Sequence, residues 1–387
     1  FFLPFHDGNN LICDVNWETH IGFFCSSISW GGLEMNVARF AKQFRERGHK
    51  VSVFAVPGSP LFHKHETNGF DVIPINHHRK YFDAKNILKW AGLIKSLGIN
   101  FIWIRDTRDI QIAGLSNKLA GNKAKIIYQQ AMQLGVNKKD VFHTLRFNRL
   151  DAWVAPLQFL ADQVLEKTKL KKELIKVIPL GVDSSRFLNL PDKSAAREVL
   201  KLPENDVVIG LVGRIDPLKG QHFLFEVFEN LAKKHDNIHL LLVGEPTRNE
   251  SNSYYTNLKL AVDSSAYASR VHFKPFTKDV TRVYAACDIA VMASEGETFG
   301  MVTIEAMMCG LPVVGTASSG TPEILGFGKE GKLFTPGNHQ EAEACLDFLI
   351  LEPKQRQKLG MKAQKKALQK FALDKVMDQL ENLINHL

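Results

Sequence analysis

The sequence predicts an α/β protein made of two doubly wound domains, each built on a parallel sheet. Three observations lead to this prediction. Short apolar runs rich in Val and Ile alternate with amphipathic stretches, which is typical of buried parallel strands in βαβ units. The runs form two series, and a segment rich in Pro, Gly and Ser at 179–192 lies between them. The length of 387 residues suits two or three domains.

Each predicted strand is a short apolar run, and the helix after the first strand is the clearest of those that follow. Val37, Phe40 and Phe44 recur there at helical spacing, and Gly48 ends the helix. The predicted strands are 21–25, 51–56, 72–75, 101–104, 125–128, 152–155 and 176–179 in the first series, and 207–212, 239–243, 271–273, 288–292 and 312–315 in the second. Because ligands bind at the carboxyl ends of the strands in such sheets, we expect the active site in a cleft between the domains.

This pattern divides the chain into four segments. They are an N-terminal extension at 1–20, a first domain at 21–182, a second domain at 183–360 and a terminal segment at 361–387. The apolar residues of the terminal segment recur at helical spacing, which predicts one long amphipathic helix. The extension has no basic stretch ahead of an apolar one, so it does not resemble a secretory signal, and the expected compartment is the cytoplasm.

Composition argues against several classes of protein. Hydrophobic residues make up 45% and charged residues 23%, as in ordinary globular proteins. No apolar run approaches the length of about 18 residues that a transmembrane helix needs. The five cysteines are far apart and form no CxxC pair, which argues against a disulfide framework and a structural zinc site. The histidines at 63, 65, 77 and 78 lack ligand-like spacing, so no metal site is predicted.

The positive charge is concentrated in the first half of the chain. Residues 1–180 hold 25 Lys and Arg against 15 Asp and Glu, a net charge of +10, whereas the remainder has a net charge of −2. This excess indicates an anionic partner such as a membrane surface or an acidic glycan, or else a solvated surface without a partner. Nucleic acid is disfavoured as the partner, because no recognisable nucleic-acid-binding module accompanies the charge.

The first candidate site is GLVGRIDPLKG at 210–220, where a predicted strand ends and a helix begins. Arg214 and Lys219 place two cations at the carboxyl end of the strand and beside the N-terminus of the helix. That combination suits a diphosphate. The alternative is that both are surface cations of a loop. The segment does not match the P-loop pattern, and the chain has no GxGxxG after a strand, which disfavours a dinucleotide-dependent oxidoreductase.

The second candidate site is SEGETFGMVTIEAMMCGLPVVG at 294–315, where a loop enters a helix. Glu305 lies on the second turn of that helix, where its carboxylate can accept hydrogen bonds from a ribose diol. Glu297 lies in the loop and can contact a sugar held against the phosphates. The alternative is that both carboxylates are simply exposed. Close backbone approach and helix-end amides predict donor binding by Phe299, Gly300, Met301 and Val302.

Two weaker signals lie in the first domain. Gly31 and Gly32 follow the first strand, which permits close approach of a substrate to the backbone, although a tight turn explains them equally well. Arg105 and Asp106 follow the strand at 101–104 and are candidate contacts for the acceptor. The alternative for these two residues is a capping or ion-pair role.

Taken together, these motifs resemble glycosyltransferase family 4, over almost the whole chain from about residue 21. The matching motifs are Gly31-Gly32-x-Glu34, Val177–Asp183 with Arg186-Phe187, Gly213-Arg214 with Lys219-Gly220, Leu242-Val243-Gly244-Glu245, Glu297–Met307 with Gly310-x-Pro312-Val313-Val314, and Phe371 with the terminal helix. The order and spacing of these pieces carry the resemblance. The resemblance adds Gly31, Gly32 and Glu245 to the expected donor contacts.

The resemblance implies the GT-B fold, in which two Rossmann-like domains face each other across a cleft and a C-terminal helix crosses back to the first domain. It implies a retaining transfer from a nucleoside diphosphate sugar to a glycan or lipid-linked acceptor, as in cell-surface polysaccharide or lipopolysaccharide biosynthesis. No metal or other cofactor is expected, since Arg214 and Lys219 take the place of a cation, with Glu297 as the third catalytic residue. The alternatives are an epimerase-type enzyme of the same fold and a nucleotide-sugar-binding protein without turnover. The basic first domain suits a cytoplasmic enzyme, or one held at the inner face of the plasma membrane.

The sequence departs from the pattern of the family at two places. Many members have a His after the fourth strand of the first domain, whereas this chain has Tyr128–Gln133 without a His. His143 is nearby in sequence, but nothing in the pattern transfers the role to it. Lys274-Pro275-Phe276 stands where the family commonly has a Gly before the aromatic residue, which puts the contact with the nucleotide base in question.

Overall fold

The computed structural model describes residues 19–64, 71–80, 82–246 and 253–387. Contacts divide the chain into two compact units. Unit 1 comprises the described residues up to Ala131 together with Val141–Trp153, and unit 2 comprises Met132–Asp140 and Val154–Leu387. Residues 154–182, which we predicted with the first domain, therefore cluster with unit 2. The predicted extension at 1–20 lies almost entirely outside the described residues, and the other domain boundaries stay predictions.

The first sheet has seven strands in the order β3-β2-β1-β4-β5-β6-β7. Its strands are β1 (His20–Cys25), β2 (Lys50–Ala55), β3 (Asp71–Pro74), β4 (Phe101–Ile104), β5 (Lys125–Gln129), β6 (Ala152–Ala155) and β7 (Ile175–Val177). Strand β1 pairs in parallel with β2 on one side and with β4 on the other. The strands after β1 are therefore added first on one side of it and then, from β4 onward, on the other. That reversal marks a topological switch point, where ligands of doubly wound sheets bind.

The second sheet has six strands in the order β10-β9-β8-β11-β12-β13 and lies within unit 2. Its strands are β8 (Val207–Val212), β9 (Ile238–Val243), β10 (Val271–Lys274), β11 (Ile289–Met292), β12 (Val313–Thr316) and β13 (Lys332–Phe334). Strand β8 pairs in parallel with β9 and with β11, which gives this sheet the same kind of switch point. Both sheets therefore confirm the predicted doubly wound α/β class.

Helices connect the strands in both sheets. They are α1 (Gly32–Glu46), α2 (Ala84–Leu97), α3 (Asp109–Leu119), α4 (Val141–Phe147), α5 (Gln158–Lys167), α6 (Lys193–Leu200), α7 (Gln221–Ala232), α8 (Ser253–Asp263), α9 (Val280–Ala286), α10 (Met301–Met308), α11 (Thr321–Ile324), α12 (His339–Leu351), α13 (Pro353–Lys370) and α14 (Leu373–Asn385). Among the helices of the described ranges, none combines the length and the apolar composition that crossing a bilayer requires.

Each of the twelve predicted apolar runs forms a strand, and the observed ends differ from the predicted ends by at most two residues. Their side chains are almost fully buried in β1, β4 and β6, which explains why the runs are continuously apolar rather than alternating. Strand β13 was not predicted, because it has only three residues and its first residue is a Lys. It pairs with β12 at the edge of the sheet, so pairing rather than local sequence defines it.

The single long helix predicted at 361–387 is wrong, because the structure has two helices that meet at Phe371. Ala372 has extended backbone with ψ 136°, which ends one helix and starts the next. The amide of Val182 donates to Phe371 O at 2.8 Å, and the amide of Leu373 donates to Val182 O at 2.9 Å. The chain between the helices thus forms a short parallel bridge with Val182. Helical spacing in the sequence continues through this break, so periodicity alone could not reveal it.

Candidate active site

The loops that follow β8 and β9 run side by side past the carboxyl end of the sheet in unit 2. The amide of Ile215 donates to Glu245 O at 3.0 Å, and the amide of Gly213 donates to Val243 O at 3.0 Å. Gly244 has φ +153°, and a Cβ atom there would lie 1.9 Å from Gly213 O. Only glycine allows the two loops to approach so closely. The predicted donor residues Arg214 and Glu245 therefore lie in neighbouring loops.

Arg214 extends from the first of these loops toward solvent. Its side chain is 58% exposed, and its guanidinium lies 3.8 Å from the carboxylate of Asp216. Its carbonyl accepts a hydrogen bond of 2.6 Å from the side-chain amide of Gln221, the first residue of α7. The backbone at Arg214 is therefore anchored while its charged end stays accessible. Glu245, in the neighbouring loop, is likewise exposed.

Lys219 lies at the end of a short 3-10 turn, Pro217–Lys219, that Asp216 caps by accepting from Leu218 N at 2.9 Å. Gly220 follows with φ +72°, and a Cβ atom there would lie 2.5 Å from Ala293 O, just beyond β11. This close contact brings the start of α7 against the loop that leaves β11. A larger residue at 220 would force the two apart.

That contact places Lys219 beside Glu297. Its Nζ atom lies 2.7 Å from Glu297 Oε2, and the two side chains are only 27% and 19% exposed. The two residues are 78 positions apart in the chain. The structure therefore brings together a cation from the first predicted motif and a carboxylate from the second.

The loop that carries Glu297 is held by residues that follow β12. The hydroxyl of Thr316 donates to Ser294 O at 2.6 Å, and the hydroxyl of Ser318 donates to Glu295 O at 2.6 Å. The amide of Gly320 donates to Glu297 O at 3.1 Å. These three bonds restrict the loop before the ligand arrives, which lowers the entropic cost of binding.

Helix α10 starts directly after this loop, with Gly300 as its N-cap at φ +68°. A Cβ atom on Gly300 would lie 3.2 Å from Glu297 Cγ, so the glycine lets the loop carboxylate lie close to the helix end. The first amides of a helix have no partner within it, so those of Met301 and Val302 can donate to an anion. Met301 and Val302 are both partly exposed. Phe299 differs, because its side chain is 4% exposed. It packs edge-on against Phe371 with ring centroids 6.0 Å apart, so only its backbone can contact a ligand.

Glu305 lies one turn further along α10 and has a partner that the sequence did not reveal. The hydroxyl of Tyr284 lies 3.3 Å from Glu305 Oε2 and 3.1 Å from Val302 O. Burial raises the pKa of Tyr284, and the charge of Glu305 raises it further. The phenol therefore stays protonated and donates a hydrogen bond that orients the carboxylate. An aromatic residue among apolar neighbours indicates a core position, and nothing local shows where its hydroxyl points.

In unit 1, Gly31 and Gly32 form the start of α1. The amide of Gly31 donates to Glu34 Oε2 at 2.9 Å, and the Ser27 hydroxyl donates to the same carboxylate. Glu34 is 4% exposed. An added Cβ atom would meet nothing within 4 Å at Gly32, so the space above this glycine is open. A buried carboxylate thus shapes the loop while its glycine backbone stays accessible.

Arg105 and Asp106, the candidate contacts for the acceptor, are both buried. Arg105 is 2% exposed, and its Nη1 atom donates to Gln129 Oε1 at 2.5 Å. Burial lowers the pKa of Arg105 to about 9. Asp106 accepts from Arg108 Nη2 at 2.6 Å and Nε at 2.9 Å, and it also caps the amide of Arg108. The capping and ion-pair alternative therefore describes Asp106, whereas Arg105 donates to an amide oxygen.

The segment at 128–133, which lacks the His common in the family, places one buried glutamine at the end of β5 and a second directly after it. Gln129 accepts from Trp103 Nε1 at 3.2 Å, and Gln130 accepts from Trp153 Nε1 at 3.0 Å. Both glutamines are 0% exposed. His143 packs its ring against Phe147, with centroids 5.8 Å apart.

Unit 1 also contains a buried polar cluster that the sequence did not predict. Asp109, the first residue of α3, accepts from the Ser26 hydroxyl at 2.5 Å and from the Ser26 amide at 3.2 Å. Its carboxylate also accepts from His78 Nε2 at 2.7 Å. The side chains of His78 and Asp109 are both 0% exposed. The cluster joins the chain after β1, the segment after β3 and the start of α3, which positions the loop ahead of Gly31.

A second unpredicted contact is made by Glu323 of α11 within unit 2. Its two carboxylate oxygens accept from the amides of Gln158 and Phe159 at 2.8 and 2.9 Å. These amides belong to the first turn of α5, where a negative charge is favourable. This contact joins two segments that are more than 160 residues apart. It also helps to explain why residues 154–182 cluster with unit 2.

Two family models match consecutive parts of the chain. The model of Glycosyltransferase Family 4 matches residues 30–186, and that of Glycosyl transferases group 1 matches residues 192–366. A D-inositol 3-phosphate glycosyltransferase from Stackebrandtia nassauensis is 30% identical over 215 residues, which are 54% of this chain and 48% of that protein. One of the same name from Mycobacteroides abscessus is 34% identical over 194 residues, or 49% of this chain and 42% of that protein. The chain thus matches about half the length of these curated relatives.

Solved structures show the same fold. The crystal structure of Anabaena HepE in complex with UDP matches 95% of this chain and 100% of that chain, with a TM-score of 0.83 and 24% identity. A glycosyltransferase from Rickettsia africae matches 96% of this chain and 98% of its own, with a TM-score of 0.83 and 20% identity. These likenesses confirm the predicted fold.

Proposed function

Because the chain belongs to glycosyltransferase family 4, we propose that it transfers a sugar from a nucleoside diphosphate to an acceptor hydroxyl. The observation that carries this proposal is the contact of Lys219 with Glu297 at 2.7 Å. It joins two motifs at the carboxyl ends of β8 and β11, beside the N-terminus of α10. Arg214, from the loop after β8, supplies a second cation that is 58% exposed. A diphosphate is the ligand class that such a combination of cations and helix-end amides suits.

The proposed step breaks the bond between the anomeric carbon and the diphosphate oxygen. Negative charge develops on the leaving diphosphate, and preorganised positive groups stabilise it most where it develops. Arg214, Lys219 and the first amides of α10 fill this role. The acceptor oxygen bonds to the anomeric carbon, and its proton passes to an oxygen of the leaving phosphate. We propose that the transfer retains the anomeric configuration and needs no metal ion, as the family resemblance implies.

The two glutamates have different proposed roles because their surroundings differ. Glu305 is oriented by the Tyr284 hydroxyl at 3.3 Å, which suits a fixed acceptor of hydrogen bonds from the ribose diol. Glu297 lies in the loop before α10 and is paired with Lys219, which suits a contact with the donor sugar close to the phosphates. Glu245, exposed in the loop after β9, remains a proposed donor contact.

We propose a uridine diphosphate sugar as the donor, since HepE of the same fold was crystallised with UDP and with UDP-glucose. The proposed acceptor is a glycan or a lipid-linked sugar in polysaccharide or lipopolysaccharide assembly. The curated relatives are named for D-inositol 3-phosphate, which makes an inositol phosphate the second acceptor to test. Thermal unfolding with UDP-, GDP- and ADP-sugars identifies the donor, because a ligand that binds only the folded state raises Tm.

Substitution of the cations tests the proposed mechanism. Arg214→Ala and Lys219→Ala should each lower kcat about 10²- to 10³-fold, the loss typical of removing one group that stabilises developing charge. The matched control is Lys259→Ala, because Lys259 is also paired with a carboxylate, at 3.1 Å, but on the exposed surface of α8. Its rate should stay within about twofold of the wild type. Wild-type rates in both cation variants would refute the assignment.

Product analysis separates transfer from the two alternatives. A transferase forms a glycosylated product only when an acceptor is present, whereas an epimerase-type enzyme changes the donor sugar without an acceptor. A non-catalytic binding protein would raise its Tm with the donor and release no UDP under either condition. The absence of the usual His after β5 is the specific observation that keeps this last alternative worth testing.

The net charge of +10 in residues 1–180 supports an additional proposal about location. We propose that the protein works in the cytoplasm and that this part of the chain meets an anionic acceptor or the inner face of the plasma membrane. Flotation with anionic liposomes tests the membrane part of the proposal. Absence of binding at low ionic strength would contradict it.

A further inference from the structure

Helix α13 is the most strongly charged element in the described part of unit 2. Its 18 residues, Pro353–Lys370, contain six Lys and one Arg and no Asp or Glu. This concentration is hidden in the composition, because residues 181–387 together have a net charge of −2. The helix dipole does not account for it, since dipole effects act only on the last turn.

The lysines of α13 form one exposed stripe. Lys354, Lys358, Lys362 and Lys365 are all exposed and follow one another at intervals of three or four residues, so they lie on the same face. The opposite face is buried against α10, where a Cβ atom on Gly360 would lie 2.0 Å from Gly310 O. The helix is thus fixed to unit 2 by its small residues and presents its cationic face to solvent.

A loop with an unusual aromatic residue adjoins this helix. Phe327 is 76% exposed and has φ +54°, a left-handed conformation that is unfavourable for a bulky side chain. It lies between Gly326 and Gly328, which also have positive φ, and is followed by the exposed Lys329. An exposed, strained ring contributes little to folding. A strained residue of this kind is more often found where a protein binds a partner.

Lys366 connects the loop to the helix. Its Nζ atom donates to Glu323 O at 3.0 Å and pairs with Glu330 Oε2 at 3.2 Å, so the segment on both sides of Phe327 is held against α13. The same pairing neutralises Glu330, the acidic group beside the loop. On the exposed face of the helix, Met361 is 57% exposed and lies next to Lys362. The surface therefore combines exposed cations with exposed apolar side chains.

We infer that α13 and the loop at 326–329 form a docking face for an anionic phospholipid bilayer. We name this surface the lysine face. Lysine suits a diffuse layer of lipid phosphates because its ammonium is a compact charge, whereas specific binding of nucleic acid relies more on Arg. The single Arg of the helix, Arg356, donates instead to Leu349 O at 3.0 Å. Phe327 and Met361 would enter the interfacial region, where aromatic side chains are favoured.

Vesicle binding by the full chain tests this inference. The vesicles contain phosphatidylglycerol and phosphatidylcholine at roughly one to two, compared with pure phosphatidylcholine. Replacing Lys358, Lys362 and Lys365 by Gln should weaken binding about a hundredfold at low ionic strength, since each lysine near an anionic surface contributes about fivefold. The matched control replaces three exposed lysines of unit 2 outside α13, Lys201, Lys233 and Lys234, by Gln and should change binding less than about threefold.

Phe327→Gly separates insertion of the ring from folding. Glycine accepts the left-handed backbone, so the variant should be at least as stable as the wild type while its vesicle binding weakens about tenfold. Unchanged vesicle binding in both the lysine triple variant and the Phe327 variant would overturn the inference. Equal loss in the control triple variant would also overturn it, because the general charge of the chain would then explain binding. Tighter binding of single-stranded RNA than of anionic vesicles would assign the face to another partner.

Discussion

Replacing Asp109 by Asn removes the negative charge that joins three segments of unit 1. The Asp109 carboxylate accepts hydrogen bonds from the Ser26 amide, the Ser26 hydroxyl and His78 Nε2, over distances of 3.2, 2.5 and 2.7 Å. The other ring nitrogen of His78, Nδ1, lies 3.0 Å from the carbonyl oxygen of Arg79. Two acceptors at the two ring nitrogens favour the doubly protonated imidazolium. The cluster is therefore a buried ion pair with hydrogen bonds on both sides.

The cost of Asp109→Asn follows from this burial. Both side chains of the pair are 0% exposed, so water does not replace the lost charge. Removing one partner of a buried ion pair typically lowers the free energy of unfolding by about 3–5 kcal/mol. The Asn side chain also turns an NH₂ group toward groups that donate, so at least one hydrogen bond of the cluster is lost. The expected loss is thus a large fraction of the stability of an ordinary domain.

Equilibrium unfolding in urea, followed by tryptophan fluorescence, measures this loss. Trp90 is a local reporter, because its ring lies edge-on to His78 with centroids 5.3 Å apart. The control is Glu46→Gln, since Glu46 pairs with Lys42 at 3.5 Å and both side chains are 51% exposed. Such an exposed pair contributes only about 0.3–0.5 kcal/mol. If Asp109→Asn costs no more than this control, the ion-pair reasoning is refuted.

The pH dependence gives an independent check. Burial by itself lowers the pKa of His78, but the hydrogen bond and charge of Asp109 outweigh it, so the pKa is raised above its ordinary value of 6.5. A raised pKa in the folded state stabilises the protein fully below pH 6.5, and this contribution is lost as the pH rises through the folded-state pKa. The wild type should therefore lose stability over that range. In Asp109→Asn this part of the pH dependence should disappear.

Three further substitutions test contacts in unit 2. Gly220→Ala should lower the free energy of unfolding by at least about 1–2 kcal/mol, because residue 220 has a φ of +72°. The control Gly92→Ala lies inside α2, where an added Cβ atom meets nothing within 4 Å, and it should raise the free energy of unfolding. Glu323→Gln should lower it by about 1–3 kcal/mol, since a charge that accepts two helix-end amides is lost, and unchanged urea midpoints would contradict this role. Tyr284→Phe should raise KM for the donor more than it lowers kcat, because Glu305 loses the hydrogen bond that orients it. A change in kcat alone in steady-state kinetics would argue against ribose binding by Glu305.

Local chemistry in the sequence determined the elements of the fold. Runs of Val, Ile and Phe have one stable environment, the interior of a parallel sheet, so twelve strands were predictable from their composition. Glycines at strand ends, followed by cations or carboxylates, likewise marked the segments that carry the site. These signals are local because strands buried on both faces, such as β1, β4 and β6, consist almost entirely of apolar residues. They failed at β13, which is defined by its pairing with β12, and at Phe371, where the chain forms a bridge with Val182.

Tertiary structure alone decided which charges meet and which are buried. Lys219 reaches Glu297 across 78 residues because Gly220 packs against the loop after β11. Arg105, a candidate contact for the acceptor in the sequence, is buried and donates to Gln129. Periodicity shows which face of a helix or strand is apolar. The hydrogen-bonding partner of a polar side chain, however, can come from any segment of the chain, so the local sequence does not identify it. For that reason the positions of the proposed site residues were readable, whereas their partners, Tyr284 among them, were not.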